Sequence, residues 1–469
     1  MRWPLIAYRM VFLLTAVALA VSGPLADVTF GQTPTGGQQQ GAGSAGVVID
    51  AKGVLHKRSV ADPGGQVTRG RIAATKASMP PELTRSSPSR KISLPRLEKE
   101  IIKKGGVPTD EMRYLAGLQR VRHVYCYPES GDVVIEGPAE GWINDVTGRV
   151  VGMTSGRPVV QLQDVVVALR AFSPDGEGAR VIGCSIDPTE EGLAEMQRFL
   201  RTSGSNFARG QEQMVAAYMQ NGLRTALGMQ EITVNGVPAD THFAQVLVEA
   251  DYRMKLMGIG LEEPPVRMVS FVERVNPAAV SRNALFRWYF VPDYQCVRQS
   301  EDGLAVELVG DGVKLVGEDE LVSAAGQRRG LSRSSSASQM FTTSFTKQYP
   351  ELARYSPVYA ELRNLIDMVV AAAYIQEQDF CGRTGWKMEL FGSEEAFAVR
   401  TYNAPTQVES AVAAILKSGR LMTPIGGGVE IEAARALAPE NLLEDENGKV
   451  GQLRRETTVE LAEGQWWWD

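Results

Sequence analysis

Asp240, His242 and Glu249 form the densest group in the chain that could move protons or ligate a metal, because neutral imidazole and carboxylate can each act as general base or ligand. His242 and Glu249 stand seven residues apart and so nearly share a helix face, with Asp240 at the helix start. On that spacing they are the candidate catalytic residues of a periplasmic hydrolase working through carboxylates and one histidine. A structural account takes precedence, however. Asp240 reads as the helix N-cap, and Glu249 to Arg253 and Asp251 to Lys255 are acid-first i,i+4 pairs of the kind that decorate a solvated helix face.

Other chemistry-bearing types are scattered. His123, Tyr125, Tyr127 and Trp142 lie near expected strand ends, where a glycan or peptide could stack, although aromatic residues in strands ordinarily pack on their neighbours. Arg363 and Asp367, one helical turn apart, read as a structural ion pair, and Ser203, Ser205 and Ser344 sit in no nucleophile motif. The string GAGSAG at Gly41 to Gly46 matches GxGxxG, but it lies in a Gly/Gln-rich stretch without the strand and helix that a dinucleotide site needs. No Walker A, HExxH or GxSxG string occurs, and three histidines without any CxxC argue against zinc, so neither cofactor nor metal is expected.

The elements that would position these residues come from a chain of 469 residues with 44% hydrophobic and 22% charged content, an ordinary globular balance. Lys plus Arg number 49 against 55 acidic residues, and the net charge of -6 gives no global case for nucleic-acid binding. Arg2 and Arg9 precede the apolar run MVFLLTAVALAV and the Ser22-Gly23-Pro24 break, which predicts a secretory signal over 1–31. That run is too short to span a bilayer and no later segment is long enough, so no integral membrane protein is expected once the signal is removed. An exported protein can oxidise its cysteines. Cys126 and Cys184, in the strand-like runs HVYCY and RVIGCSI, are the expected disulfide, with four buried thiols as the alternative.

Residues 32–96 read as a low-complexity arm or linker. From Thr33 to Arg96 ten basic residues face three acidic ones, a local charge of +7, suited to lying on the acidic body or gripping an envelope protein or anionic polymer. Residues 97–228 alternate strand and helix patterns and read as an α/β domain, with Asp187 capping a helix from Pro188. Residues 229–325 read as an α+β domain rich in antiparallel strands, including RMVSFVERV and the hairpin turns at Asp302-Gly303 and Asp311-Gly312. A Ser/Arg-rich linker is expected over 326–340, then a helical and mixed region over 341–469. There the spacing predicts a core helix after Ser356-Pro357, strands at WKMEL and FAVRTY, and a helix from Thr406 to Lys417. Trp466, Trp467 and Trp468 near the C-terminus either fold back onto the body or mark an interaction surface. The fold class that results is α+β.

The stretches PTDEMRYLAGLQRVRHVYCYPESGDVVIEGPAEGW, SIDPTEEGLAEMQRFL, VPADTHFAQVLVEADYRMKLMGIGLEEPPV and SFTKQYPELARYSPVYAELRNLIDMVVAAA resemble a family of exported planctomycete proteins known only as a domain of unknown function. The resemblance runs over about Gly46 to Gly428 and implies export, with no catalytic residue, substrate or cofactor attached. The expected function is that of an exported, non-catalytic binding or scaffold protein of the cell envelope. The alternatives are the hydrolase above and a small-ligand-binding protein with its pocket between the two central units.

Overall fold

A computed structural model describes residues 46–174, 176–203, 211–276, 284–331, 334–413, 425–457 and 459–469. The expected signal, nearly all of GAGSAG, and Ser205 fall outside the described residues. Helix makes up 41% and strand 23% of a fold with two large sheets, and the class is α+β.

The first sheet has nine strands. In spatial order they are Val47–Ile49, Val54–Lys57, Gln407–Glu409, Met229–Asn235, Ile182–Pro188, Ile425–Ile431, Ala284–Pro292, Val313–Val322 and Arg328–Gly330. At its centre Ile425–Ile431 runs parallel to Ala284–Pro292 and antiparallel to Ile182–Pro188. Both neighbours press on its glycines: Gly427 has φ +154°, and a Cβ there would fall 1.7 Å from the Trp288 carbonyl oxygen. The second sheet has seven strands, in the order Leu442–Leu443, Val297–Gln299, Ala305–Leu308, His123–Tyr127, Asp132–Ala139, Ser87–Ser93 and Trp467–Trp468.

Helices fill the space between. His242–Gly258 packs on strands Ile182–Pro188 and Ile425–Ile431 of the first sheet and against the long helix Pro357–Glu377. That long helix buries 17 of its 21 residues, which makes it a core helix. Towards the second sheet, Asn364 Nδ2 donates to the Gln119 carbonyl at 2.8 Å and Tyr374 Oη to the Gly303 carbonyl at 3.2 Å. Asp367 pairs with Arg120 at 2.6 Å rather than with its helix neighbour Arg363.

Several sequence-based expectations change. The described residues, from 46 onward, form one compact unit, and the first sheet takes strands from every segment between 46 and 431, so the boundaries at 228/229 and 326–340 do not separate compact bodies. From residue 46 the basic segment is structured: it supplies two strands to the first sheet and Ser87–Ser93 to the interior of the second. Its cations find partners in the body. Arg96 grips Asp132 at 2.8 Å, Lys57 meets Glu262 at 2.6 Å, and Arg90 is fully buried.

Local readings shift as well. Thr189, not Asp187, caps the helix Glu190–Thr202, because Asp187 and Pro188 still belong to a strand. RMVSFVERV holds a short helix, Phe271–Arg274, fixed by a Ser270–Glu273 capping box. WKMEL and FAVRTY form turns and coil rather than strands. Within the expected helix at Thr406, Gln407–Glu409 is instead a strand held between Val54–Lys57 and Met229–Asn235, and 414–417 lie outside the described residues. Among the described residues no helix is long and apolar enough to cross a membrane.

Candidate functional site

The helix His242–Gly258 is capped by Thr241, whose hydroxyl accepts from the Ala244 amide at 3.3 Å. Asp240 lies one residue too early for that role; its carbonyl accepts the Tyr402 amide at 2.7 Å. The helix is no solvated surface element, since Glu249, Asp251 and Lys255 are all buried in it. Glu249–Arg253 and Asp251–Lys255 do pair, at 3.4 and 2.8 Å, but inside the protein.

Two of the three candidate residues, His242 and Glu249, enter one buried polar network; Asp240 does not. Alternating charges run inward from the surface. Lys57 meets Glu262 at 2.6 Å, Glu262 meets Arg253 at 2.7 Å, and Arg253 meets Glu249 at 3.4 Å. Glu249 also accepts the Gly46 amide at 3.2 Å and pairs with Arg149, which holds Glu361 of the long helix at 2.5 Å. Arg149 is carried inward by a turn that Asp145 shapes, its carboxylate accepting from the Thr147 and Arg149 amides at 2.8 and 2.9 Å. At the inner end, His242 Nδ1 donates to Asp164 at 2.9 Å from the helix Leu162–Ala171, and His242 Nε2 lies 3.3 Å from Gln161 Nε2.

Burial works against the charge on Arg149, but Glu249 and Glu361 outweigh it and the pKa rises. The His242 imidazole follows the same pattern: burial opposes its charge, Asp164 and Glu361 overcome that, and its pKa is raised. Burial drives the Glu361 carboxyl up, with Arg149 and His242 offsetting only part of the shift. Four carboxyl groups (Asp164, Glu249, Glu262, Glu361) thus face three basic side chains (Lys57, Arg149, Arg253) and the His242 imidazole. Every carboxylate here is committed to a cation or imidazole within the fold, and among the described residues no group of His, Cys, Asp or Glu is placed to hold a metal. What the arrangement does is join the basic segment, the Arg149 hairpin and three helices.

A second buried pair lies nearby. Lys255 Nζ donates to Asp251 Oδ2 and to the Ile186 carbonyl, both at 2.8 Å. Burial pushes Asp251 up to about 6, against the pull of Lys255.

The remaining candidates are structural or exposed at one place. Tyr125, Tyr127 and Trp142 are buried, and His123 stacks on Tyr125 at 5.7 Å, so none offers a free ring to a ligand. The expected Cys126–Cys184 bridge is not formed, because the two residues belong to strands of different sheets; all four cysteines are buried and outside any disulfide. The tryptophan tail folds back. Trp467 and Trp468 pair with Ile92 and Lys91, Arg90 lies 4.6 Å from the Trp467 ring, and the Trp467 indole donates to Glu111 at 2.6 Å.

Beside this tail lies a groove of about 270 Å³, lined among others by Glu100, Lys104, Thr109, Glu111, Gln465 and Trp467. It sits at an edge of the second sheet, not between the two expected central domains.

Sequence reasoning missed Arg149, Asp164, Glu262 and Glu361. A signal existed for two of them: Asp164 in VVQLQDVVVALRAF and Glu361 in the long apolar helix are charges set among apolar residues, where a buried charge without a partner is untenable.

Residues 184–271 match the model of a family described as a protein of unknown function (DUF1598). The match covers only part of the chain, a shorter stretch than Gly46 to Gly428. It contains His242, Glu249 and the Asp251–Lys255 pair, whereas Arg149, Asp164 and Glu361 lie outside it. No curated protein and no solved structure matches the chain.

Proposed function

We propose that the protein is an exported, non-catalytic binding or scaffold protein of the cell envelope, and that it meets its ligand at the groove beside Trp467. The observation that carries this reading is a contrast of exposure. Side chains suited to catalysis are enclosed and neutralised by one another, Glu249 at 0% and His242 at 3% side-chain exposure, while the groove opens to solvent with an indole, carboxylates, an ammonium and an amide on its walls. Export is supported by the charged start, apolar run and break over 1–31. The basic segment contributes less than its composition implies, since Lys57, Arg90 and Arg96 are committed to carboxylates of the body.

A photo-crosslinking residue at Gln465, introduced in the source cells, tests the reading together with cell fractionation and mass spectrometry of the N-terminus. The expected result is a cleaved N-terminus in the envelope or periplasmic fraction and one component captured repeatedly from Gln465 but not from exposed Met214 on a distant helix. Cytoplasmic retention, or equal capture from both positions, overturns it.

A further inference from the structure

We infer that the groove beside Trp467 recognises a short, hydroxyl-rich glycan, a proposal that rests on the binding reading above. The walls supply what such a ligand needs. Trp467 brings to the wall an indole whose one face Arg90 covers at 4.6 Å, and sugar hydroxyls, which both donate and accept, need partners of both kinds within reach. Acceptors come from Glu100 and Glu111, a donor from Lys104, and a group able to do both from Thr109.

The charge in the groove is spread rather than concentrated. Glu100 is paired with Lys103 at 2.7 Å, and Glu111 spends one oxygen on the Trp467 indole at 2.6 Å. Among the described residues the Lys104 ammonium has no ion-pair partner, so a single cation faces two carboxylates that are partly engaged. That balance suits neither a phosphate, which calls for clustered arginine and lysine, nor a polyanion. The platform is also held in place before a ligand arrives: Trp467 is fixed by its pairing with Ile92, its bond to Glu111 and the Arg90 guanidinium 4.6 Å from its ring, so little side-chain entropy is lost on binding.

The test titrates the signal-free chain with three neutral probes, chito-, cello- and manno-oligosaccharides, and with glycine-containing dipeptides as a zwitterionic comparison. Tryptophan fluorescence and calorimetry are the readouts. At least one oligosaccharide is expected to bind saturably, and Lys104→Ala and Glu100→Gln are each expected to weaken it by about threefold to tenfold, the loss of one hydrogen bond. Lys104 is exposed and Glu100 half-buried, and unaltered melting curves confirm that the fold is kept. Dipeptide binding that responds to the same variants, without oligosaccharide binding, overturns the glycan assignment and leaves the groove as a ligand site. Failure of every probe, or binding indifferent to both variants, overturns the glycan proposal, whereas the binding reading itself stands or falls with the Gln465 capture experiment.

Discussion

Arg90 and Asp469, 379 residues apart, form a two-pronged ion pair, Nε to Oδ1 at 2.8 Å and Nη2 to Oδ2 at 3.1 Å. The guanidinium is wholly buried and spends its remaining donors on the carbonyls of Ala116 (2.6 Å), Glu82 (3.2 Å) and Arg85 (3.3 Å). It therefore reads the carboxylate, the preceding loop and the Trp467 ring at once. A lysine cannot reproduce that fork. Arg90→Lys is expected to cost about 2–4 kcal/mol and to make the Trp466–Asp469 segment accessible to proteolysis. Urea unfolding and digestion of the native protein check this; a change under half a kcal/mol would remove the latch role.

Arg149 presents a similar dependence deeper in the core. Arg149→Met leaves Glu249 and Glu361 facing each other without their shared cation, which is expected to destabilise the protein by about 3–5 kcal/mol. Adding Glu361→Gln to that variant removes one of the stranded charges. The pair of changes should then cost less than Arg149→Met alone, and a simple sum of the two single effects would show that the residues do not act as one network.

The pH dependence of stability follows from His242. Its folded pKa lies above the ordinary 6.5, so the native state holds the proton more tightly than the unfolded chain does. The stabilisation is complete below 6.5 and is lost as pH rises through the folded value. Glu361, also raised, acts in the same direction from a lower starting point, its ordinary 4.5. Unfolding free energy is thus expected to fall between mildly acidic and alkaline pH, and His242→Gln should flatten the part of the slope above 6.5. Identical profiles for the variant and the natural protein would show that His242 does not carry the dependence.

Thiol chemistry gives a further check. All four cysteines are buried and outside any disulfide, and burial pushes the Cys296 thiol up to about 12 and Cys126 to about 11. The native protein should resist iodoacetamide near neutral pH, while the urea-unfolded protein, never exposed to reductant, should take up four labels. Only two labels in the unfolded chain would mean a disulfide.

Much of the scaffold could be read from local signals. The strand-like runs HVYCY and RVIGCSI and the core helix after Ser356-Pro357 all appear where apolar spacing puts them. The polar network could not be read in the same way. Arg149 and Glu361 are 212 residues apart and Arg149 and Glu249 are 100 apart, so no spacing rule links them. Composition misled at the N-terminal side because a charge count does not distinguish a solvated lysine from a buried Arg90 whose partner is the final residue. Asp240 and Asp187 failed as caps for a local reason: in each case a threonine one or two residues later was the better-placed acceptor.

Ile425–Ile431, the sixth of nine strands in its sheet, is synthesised after both strands that flank it, and Trp467–Trp468 follows every other strand of the second sheet. A ribosome making this chain therefore emits two unfinished sheets, one with an interior gap and one with an open edge, until residues 425–431 and 467–468 are out. Folding cannot be completed piecewise from the N-terminal side, and the nascent protein depends on being kept from aggregation through those exposed edges until the two late strands emerge.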